Sequence, residues 1–285
     1  VIHEDPRAYL LGMEGAALLR AFTGHHDREF VRARLAEVRR ILDTPMDPVD
    51  VERAGAVEGY GLWAASYDGE DNGAFPLDTP VLTEVLDGIA PGPALDAAAG
   101  TGRLTRLLLD RGHRVTAVDS SPDMLGHNPA DDTRVGDLRA LPVGDAEVDV
   151  VVCGLALTHV PDLDPVFAEF ARVLRPGGHL VLSEVHPDAV ARGSVPTVRG
   201  RGNRPMRLVT HEHLLGDYLR AALAAGLELR RFTEPVPPPA PPREASTDPG
   251  PWDVWPWSLA AMVPEATRAA TGGRPAMLVA HWRRG

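Results

Sequence analysis

The sequence holds one cysteine, Cys153, in 285 residues, which excludes an internal disulfide framework and any zinc site built from several cysteines. It contains no run near the ~20 uninterrupted apolar residues of a membrane span. Its first residues carry charges and glycine where a secretory signal needs an apolar block. Basic side chains are outnumbered: 29 Lys and Arg stand against 40 Asp and Glu, a formal charge of −11. A general phosphate-backbone binder draws its affinity from clustered cations, so a nucleic-acid substrate is disfavoured. The expectation is a soluble, cytoplasmic chain with neither membrane nor nucleic acid as partner. Glycine (28) and proline (27) stay below low-complexity levels, and a hydrophobic fraction of 44% supplies a core. The length allows one large domain or two small ones.

Apolar residues at helical spacing over Asp5–Phe22, behind a proline suited to a first turn, predict a helix, and Asp27–Leu42 predicts a second. In the second, Val31, Leu35, Val38 and Leu42 recur on one face, and that stripe is expected to pack on something. Further helices are predicted over Asp50–Ser66, running into the polar stretch YDGEDNG, and over Thr79–Ile89. The pattern then changes. Short β-type runs at Ala94–Asp96, Arg114–Val118, Val148–Cys153 and His179–Val185 alternate with helices at Arg103–Asp110 and Leu163–Leu174, which implies a parallel sheet covered on both faces. Pro187–Thr210 reads as a long loop, Leu214–Ala225 as a helix and Glu228–Phe232 as a strand. Residues 235–251 hold 8 prolines in 17 positions and should be extended. A helix near Leu259–Ala270 and a strand at Met277–His281 close the chain. The expected division is a helical segment over 1–75, acting as cap or lid, and an α/β domain over 76–285 with insertions at about 187–212 and 235–258.

The stretch ALDAAAGTGRLTRLLLDRG, Ala94 to Gly112, places small residues between an apolar strand and a helix. Gly100 and Gly102 permit tight dihedrals and let a ligand approach the backbone. Gly-x-Gly alone is shared by many sites. The next strand, VTAVD, ends in Asp119, 17 residues beyond Gly102, where an acid takes both hydroxyls of a ribose. A dinucleotide site expects a third glycine where this chain has Thr105.

In order, Asp-Ala-Ala-Ala-Gly-Thr-Gly, VDSSPDML, GDLRALPVGDAEVDVVVCGLALTHV and RVLRPGGHLVLSEVHP resemble the class I S-adenosylmethionine-dependent methyltransferases. The resemblance is strong over Ala94–Pro187 and weaker in WAASYDGEDN and PAMLVAHW. It implies a Rossmann-like seven-stranded α/β fold, mostly parallel with the last strand antiparallel, behind a helical N-terminal extension, and S-adenosylmethionine as cofactor. On matching positions, Asp96, Ala98, Gly100 and Gly102 would line its methionine part. Asp119 and Ser120 would meet the ribose, and Met124 would lie along the adenine. Asp137 would accept from the adenine amine beside the Leu138 amide. Cys153 or Gly154 would offer a carbonyl to the methionine ammonium. Tyr67 would close over the carboxylate, or else is ordinary packing. Ala98 stands where the family commonly has glycine. Cys153 reads as a small buried apolar residue rather than a nucleophile.

The acceptor side is read from topology. In an open α/β sheet the ligand sits beyond the carboxyl ends of the strands, so His159, His186 and Glu184 are the catalytic candidates. Either histidine would serve as general base or would shape the pocket. His211-Glu212-His213 does not place two histidines on one helix face, and no metal is expected. Trp252, Trp255 and Trp257 would form a lid over the acceptor or a peg fixing an insertion. The N-terminal helices would cap the cofactor, roof the substrate or form a homodimer contact. The expected activity is N- or O-methylation of a small molecule, and the Ala-, Arg-, Gly- and Pro-rich composition associates it with secondary-metabolite tailoring. The rivals are a non-methylating cyclase or binding protein that holds the same cofactor, and an NAD(P)-dependent oxidoreductase.

Overall fold

A computed structural model describes residues 1–69 and 72–285; of the YDGEDNG stretch, Glu70 and Asp71 lie outside the described residues. The chain begins with β1 (Ile2–Glu4), α1 (Pro6–Ala21), α2 (Arg28–Asp43), β2 (Val49–Ala54), α3 (Ala56–Trp63) and α4 (Phe75–Asp87). It continues with β3 (Pro93–Ala97), α5 (Arg103–Leu109), β4 (Arg114–Asp119), α6 (Pro122–Leu125), β5 (Asp132–Val135), β6 (Val148–Gly154), α7 (Asp164–Val173) and β7 (Leu174–Val185). Then come α8 (Pro187–Ala191), β8 (Thr197–Arg199), β9 (Pro205–Leu208), α9 (Leu215–Ala224), β10 (Leu227–Thr233), α10 (Trp257–Ala260), α11 (Pro264–Thr271) and β11 (Met277–Arg284).

These elements form two units. One comprises Val1–Ala54, Pro196–Arg207 and Pro237–Arg274, and the other comprises Gly55–Val195, Leu208–Val236 and Pro275–Gly285. The first boundary between the units falls at 54/55, and α3 and α4 belong with the α/β sheet.

The first unit contains strands as well as helices. The expected helix at Asp50–Ser66 is β2 followed by α3, because Val49, Val51 and their polar neighbours Asp50 and Glu52 alternate with period two. The expected loop after Pro187 contains α8 and then a β8–β9 hairpin turning at residues 200–204. The stripe expected to bury α2 is exposed at Leu35 and Leu42; the helix buries Arg34 and Ile41 instead. Arg34 is tolerated there because Glu14 at 3.0 Å and Glu265 at 2.5 Å neutralise it. Trp252 and Trp255 are buried with Leu10, Met13 and Met262, so two of the three tryptophans are core residues; Trp257 is exposed.

The second unit is built on a sheet of order β10-β11-β7-β6-β3-β4-β5. β3, β4, β5, β6 and β7 run parallel, and β11 pairs antiparallel with both β7 and β10. Period-two alternation distributes the side chains. Leu95, Val151, Leu182 and Leu278 face Phe167 and Phe170 of α7 and Tyr218 of α9, while Ala94, Val150, Val181 and Val279 face Leu82 and Leu86 of α4 and Leu104 and Leu108 of α5. At the start of α5, Arg103 makes a bidentate pair with the fully buried Asp78 of α4 at 3.0 and 2.8 Å, and the Ser183 hydroxyl of β7 donates to the same carboxylate at 2.5 Å. Three elements are thereby tied together next to the glycine loop.

Candidate active site

Strand order reverses between β3 and β6, and the open α/β topology places ligands beyond the carboxyl ends at that point. A cavity of about 630 Å³ lies there. Its floor is Ala98 and Gly100 after β3, Val118–Ser120 at the end of β4, Gly136–Arg139 after β5, and Gly154, Leu155, Ala156 and His159 at and after β6. Met124 of α6 lines one side. Gly55, Ala56, Val57, Glu58 and Tyr60 from the start of α3, with Tyr67, form another wall.

The loop after β3 needs its unusual backbone. Gly102 has φ 96, and a Cβ there would come within 2.3 Å of Pro129 Cδ. Ala98, the residue noted as replacing glycine, sits at φ 61. Leu155, on the same cavity, is at φ 58. A left-handed Cβ-bearing residue costs ~1–2 kcal/mol, whereas glycine carries only its extra chain entropy, so Ala98→Gly is expected to stabilise by roughly 0.5–1 kcal/mol. Gly102→Ala is expected to destabilise by ~2–4 kcal/mol through strain and overpacking. Denaturant unfolding of both variants checks this pair of opposite signs.

Behind the loop, Thr105 is fully buried. Its hydroxyl donates to Asp96 Oδ2 at 2.7 Å and accepts from Asn128 Nδ2 at 3.2 Å, while the same Asn128 amide donates to the Gly100 carbonyl at 3.2 Å. The side chain that replaces a third glycine therefore braces strand against helix. Asp96 does not line the cavity; it is buried, with Oδ1 lacking a partner, because it shares the pleat face of Ala94 and points at α5. Asp119 does line it. Its Oδ2 accepts from Gly100 N and its Oδ1 from Ser121 N, both at 2.8 Å, and the Ser120 amide adds a third backbone bond, which fixes the carboxylate while leaving it some accepting capacity. Burial raises the pKa of Asp119 despite these bonds. Asp137 lines the cavity too, but its carboxylate already accepts from Arg139 Nε and Nη2 at 2.9 and 2.6 Å, which pulls its pKa to about 2.

Of the three catalytic candidates, one reaches the cavity. Glu184 is buried beneath it, accepting from Leu157 N at 2.6 Å, Thr158 N at 3.3 Å and Val185 N at 2.9 Å, so it shapes the loop after β6 from inside. His186 caps α8, accepting from Asp188 N at 3.1 Å, and its Nε2 lies 2.9 Å from Glu234 Oε1. Neither lines the cavity. His159 does, with Nε2 at 3.0 Å from Tyr60 Oη and Nδ1 at 2.8 Å from the Val209 carbonyl. Burial lowers its pKa, which favours the neutral ring. Cys153 is buried on the α7 face and lies off the cavity, where its neighbour Gly154 stands; burial raises its thiol pKa well above the ordinary value. His213 Nε2 donates to the Val160 carbonyl at 2.8 Å. Among the described residues no three His, Cys, Asp or Glu converge as a metal site, and no helix is long and apolar enough to cross a membrane.

Sequence reasoning missed Tyr60, Glu58 and Arg139. Tyr60 packs edge-on against His159 and Tyr67, and Trp63 joins the cluster. The Tyr67 turn is held down by Thr101, whose hydroxyl donates to Asp68 at 2.6 Å. The available signal was the spacing of Tyr60, Trp63 and Tyr67, which is one helical face and the turn that follows.

Burial holds the pKa of Asp96 and Glu184 up at about 7, against ordinary values of 3.8 and 4.5. Between those values and about 7 the folded chain keeps protons that the unfolded chain has lost, so these groups make stability fall as pH rises through that window. Asp96→Asn is expected to make the fall in melting temperature between about pH 5 and about pH 8 shallower. An unchanged slope contradicts the assignment.

Residues 95–182 match the methyltransferase domain family. The chain is similar to an uncharacterised methyltransferase of Emericella nidulans, 28% identical over 63% of this chain and 78% of that one. It is also similar to the malonyl-[acyl-carrier protein] O-methyltransferase of Serratia marcescens, 33% identical over 47% of this chain; the match spans about half of that enzyme, 53%. An S-adenosylmethionine-dependent methyltransferase of Mesorhizobium loti shares the fold, with a TM-score of 0.52 at 20% identity over 73% of this chain and 97% of that one. Motif order, sheet topology and family match agree: residues 95–182 carry a methyltransferase domain, set on the fold that S-adenosylmethionine-dependent methyltransferases share, and S-adenosylmethionine is its cofactor.

Proposed function

We propose that the protein transfers a methyl group from S-adenosylmethionine to a small-molecule hydroxyl or amine, in a tailoring reaction. The observation that supports this best is the cavity, with a fixed acid, a glycine-lined floor and an aromatic wall at the switch point of the sheet. The residues present fit the cofactor. Asp119, fixed by backbone amides, keeps accepting capacity for a ribose hydroxyl, and Gly100 leaves space that a Cβ would fill to within 3.2 Å of Met124 Cε. In this reading Asp119 and Ser120 hold the ribose, while Met124 and Leu138 border the adenine. Ala98, Gly100 and the Gly154 carbonyl border the methionine end, and Tyr67 closes over it. When bound, the cofactor supplies an activated methyl on a sulfonium. The protein's part is to align the acceptor, exclude water with the α3 wall, and remove a proton.

The Serratia marcescens relative is named for O-methylation of malonyl-[acyl-carrier protein], and only about half of that enzyme is matched here. Thr105 argues against a nicotinamide cofactor, since its side chain occupies the packing position where a dinucleotide fingerprint uses glycine. The test is production of S-adenosylhomocysteine with small hydroxyl and amine acceptors. Formation coupled to a methylated product supports the proposal. Cofactor binding together with an acceptor reaction that leaves the methyl in place supports a cyclase or binding protein instead.

A further inference from the structure

Tyr60 and His159 are linked in a way that the motifs do not indicate. A carbonyl only accepts, so the contact with Val209 puts the imidazole hydrogen on His159 Nδ1. Nε2 then carries the lone pair, and the Tyr60 hydroxyl donates to it at 3.0 Å. Both side chains line the cavity. Tyr60 Oη still has a lone pair for an incoming donor.

The charges around the pair narrow what can enter. Among the described residues that line the cavity, Arg139 is the one permanent cation, and Asp137 occupies it. The cavity's other charges, Glu58 and Asp119, are negative. A carboxylate acceptor entering such a pocket finds no unpaired cation among these lining residues and has no proton to give up.

We propose that Tyr60 and His159 form a proton relay and that the acceptor is a hydroxyl or amine rather than a carboxylate. This rests on the methyltransferase reading above. The acceptor's hydrogen passes to Tyr60 Oη as the tyrosine's own hydrogen passes to His159 Nε2, leaving an imidazolium. The acceptor's lone pair forms the new bond to the methyl carbon, and the electrons of the broken C–S bond stay on the departing thioether. Burial raises the Tyr60 pKa well above the ordinary value, favouring the protonated phenol, and burial lowers that of His159, favouring the free base. The titratable groups facing the pair are Glu58 and Tyr67, Asp119, Glu184 beneath the loop, and His211.

The experiment uses the full chain with methyl-labelled S-adenosylmethionine and two kinds of probe: catechol and tyramine as hydroxyl and amine acceptors, and malonyl-N-acetylcysteamine as the carboxylate. Label is expected on the hydroxyl or amine probes and not as a malonyl methyl ester. Tyr60→Phe and His159→Gln are each expected to lower kcat by about 10²-fold, within the range of general base catalysis, with the KM for the cofactor nearly unchanged. In the cofactor-free protein, imidazole ¹⁵N NMR is expected to show Nδ1 protonated and the Nε2 signal moving in Tyr60→Phe. A malonyl methyl ester as the main product, or wild-type kcat in both variants, overturns the proposal. Calorimetry with S-adenosylhomocysteine separates the two levels. Absence of binding sinks the methyltransferase reading itself, whereas binding with carboxylate methylation sinks only the relay and the acceptor class.

Discussion

Replacing Asp119 with alanine is expected to weaken S-adenosylhomocysteine binding by about 10²–10³-fold, because two hydrogen bonds to a charged acceptor, at ~1.5–3 kcal/mol each, are lost. The carboxylate is held in advance by Gly100 N and Ser121 N at 2.8 Å, so little ordering is needed when a ribose arrives. Removing it also frees the Gly100 amide and loosens the loop at the residue that lines the cavity. Asp119→Asn, which keeps an acceptor but loses the charge, should fall between the variant and the wild type. Since burial raises the Asp119 pKa and the protonated form has lost accepting capacity, affinity should weaken as pH falls toward the carboxylate range. Calorimetry across pH measures both effects. A Kd for Asp119→Ala within threefold of wild type would remove the ribose assignment.

Arg103→Ala is expected to lower the unfolding free energy by ~3–5 kcal/mol, the cost of breaking a buried pair by removing one partner. The Asp78 carboxylate would remain fully buried with only the Ser183 and Thr79 hydroxyls as partners. For a protein of this size ~3 kcal/mol corresponds to a fall of about 6–12 °C in melting temperature. The double variant Asp78→Ala/Arg103→Ala should lose less than the sum of the singles, since neither then leaves an unpaired charge. Additive losses in that cycle would mean that the two groups act separately. Because Arg103 begins α5 immediately after Gly102, the single variants should also weaken cofactor binding, though less than Asp119→Ala does.

Period-two runs and the glycine turn made the sheet legible. Leu95, Val151 and Leu182 on one face and Val150 and Val181 on the other could be read from alternation alone. Asp119 was legible because it ends a strand at a fixed distance from the glycines. The side chains of Asp96 and Glu184 lie off the cavity for one shared reason: each is near the carboxyl end of its strand, but pleat direction turns it into the protein. His186 failed differently, since its partner Glu234 is 48 residues away and nothing local announces the contact. Tyr60 was hidden because the run Asp50–Ser66 was read as one helix, whereas β2 ends at Ala54 and α3 presents a separate face to the cavity. The first unit was the least legible. Its core joins Leu10 and Ile41 to Trp252 and Met262 across more than half of the chain, and its α2 helix buries an arginine that only distant acids make tolerable.

The central claim is that the cavity takes a sulfonium cofactor through Asp119 and the glycine loop. It is tested most directly by titrating the wild-type protein with S-adenosylmethionine, S-adenosylhomocysteine and NADPH in a calorimeter. Micromolar binding of the two sulfur ligands with no heat from the nicotinamide is the predicted result; binding of NADPH in preference to both would contradict it.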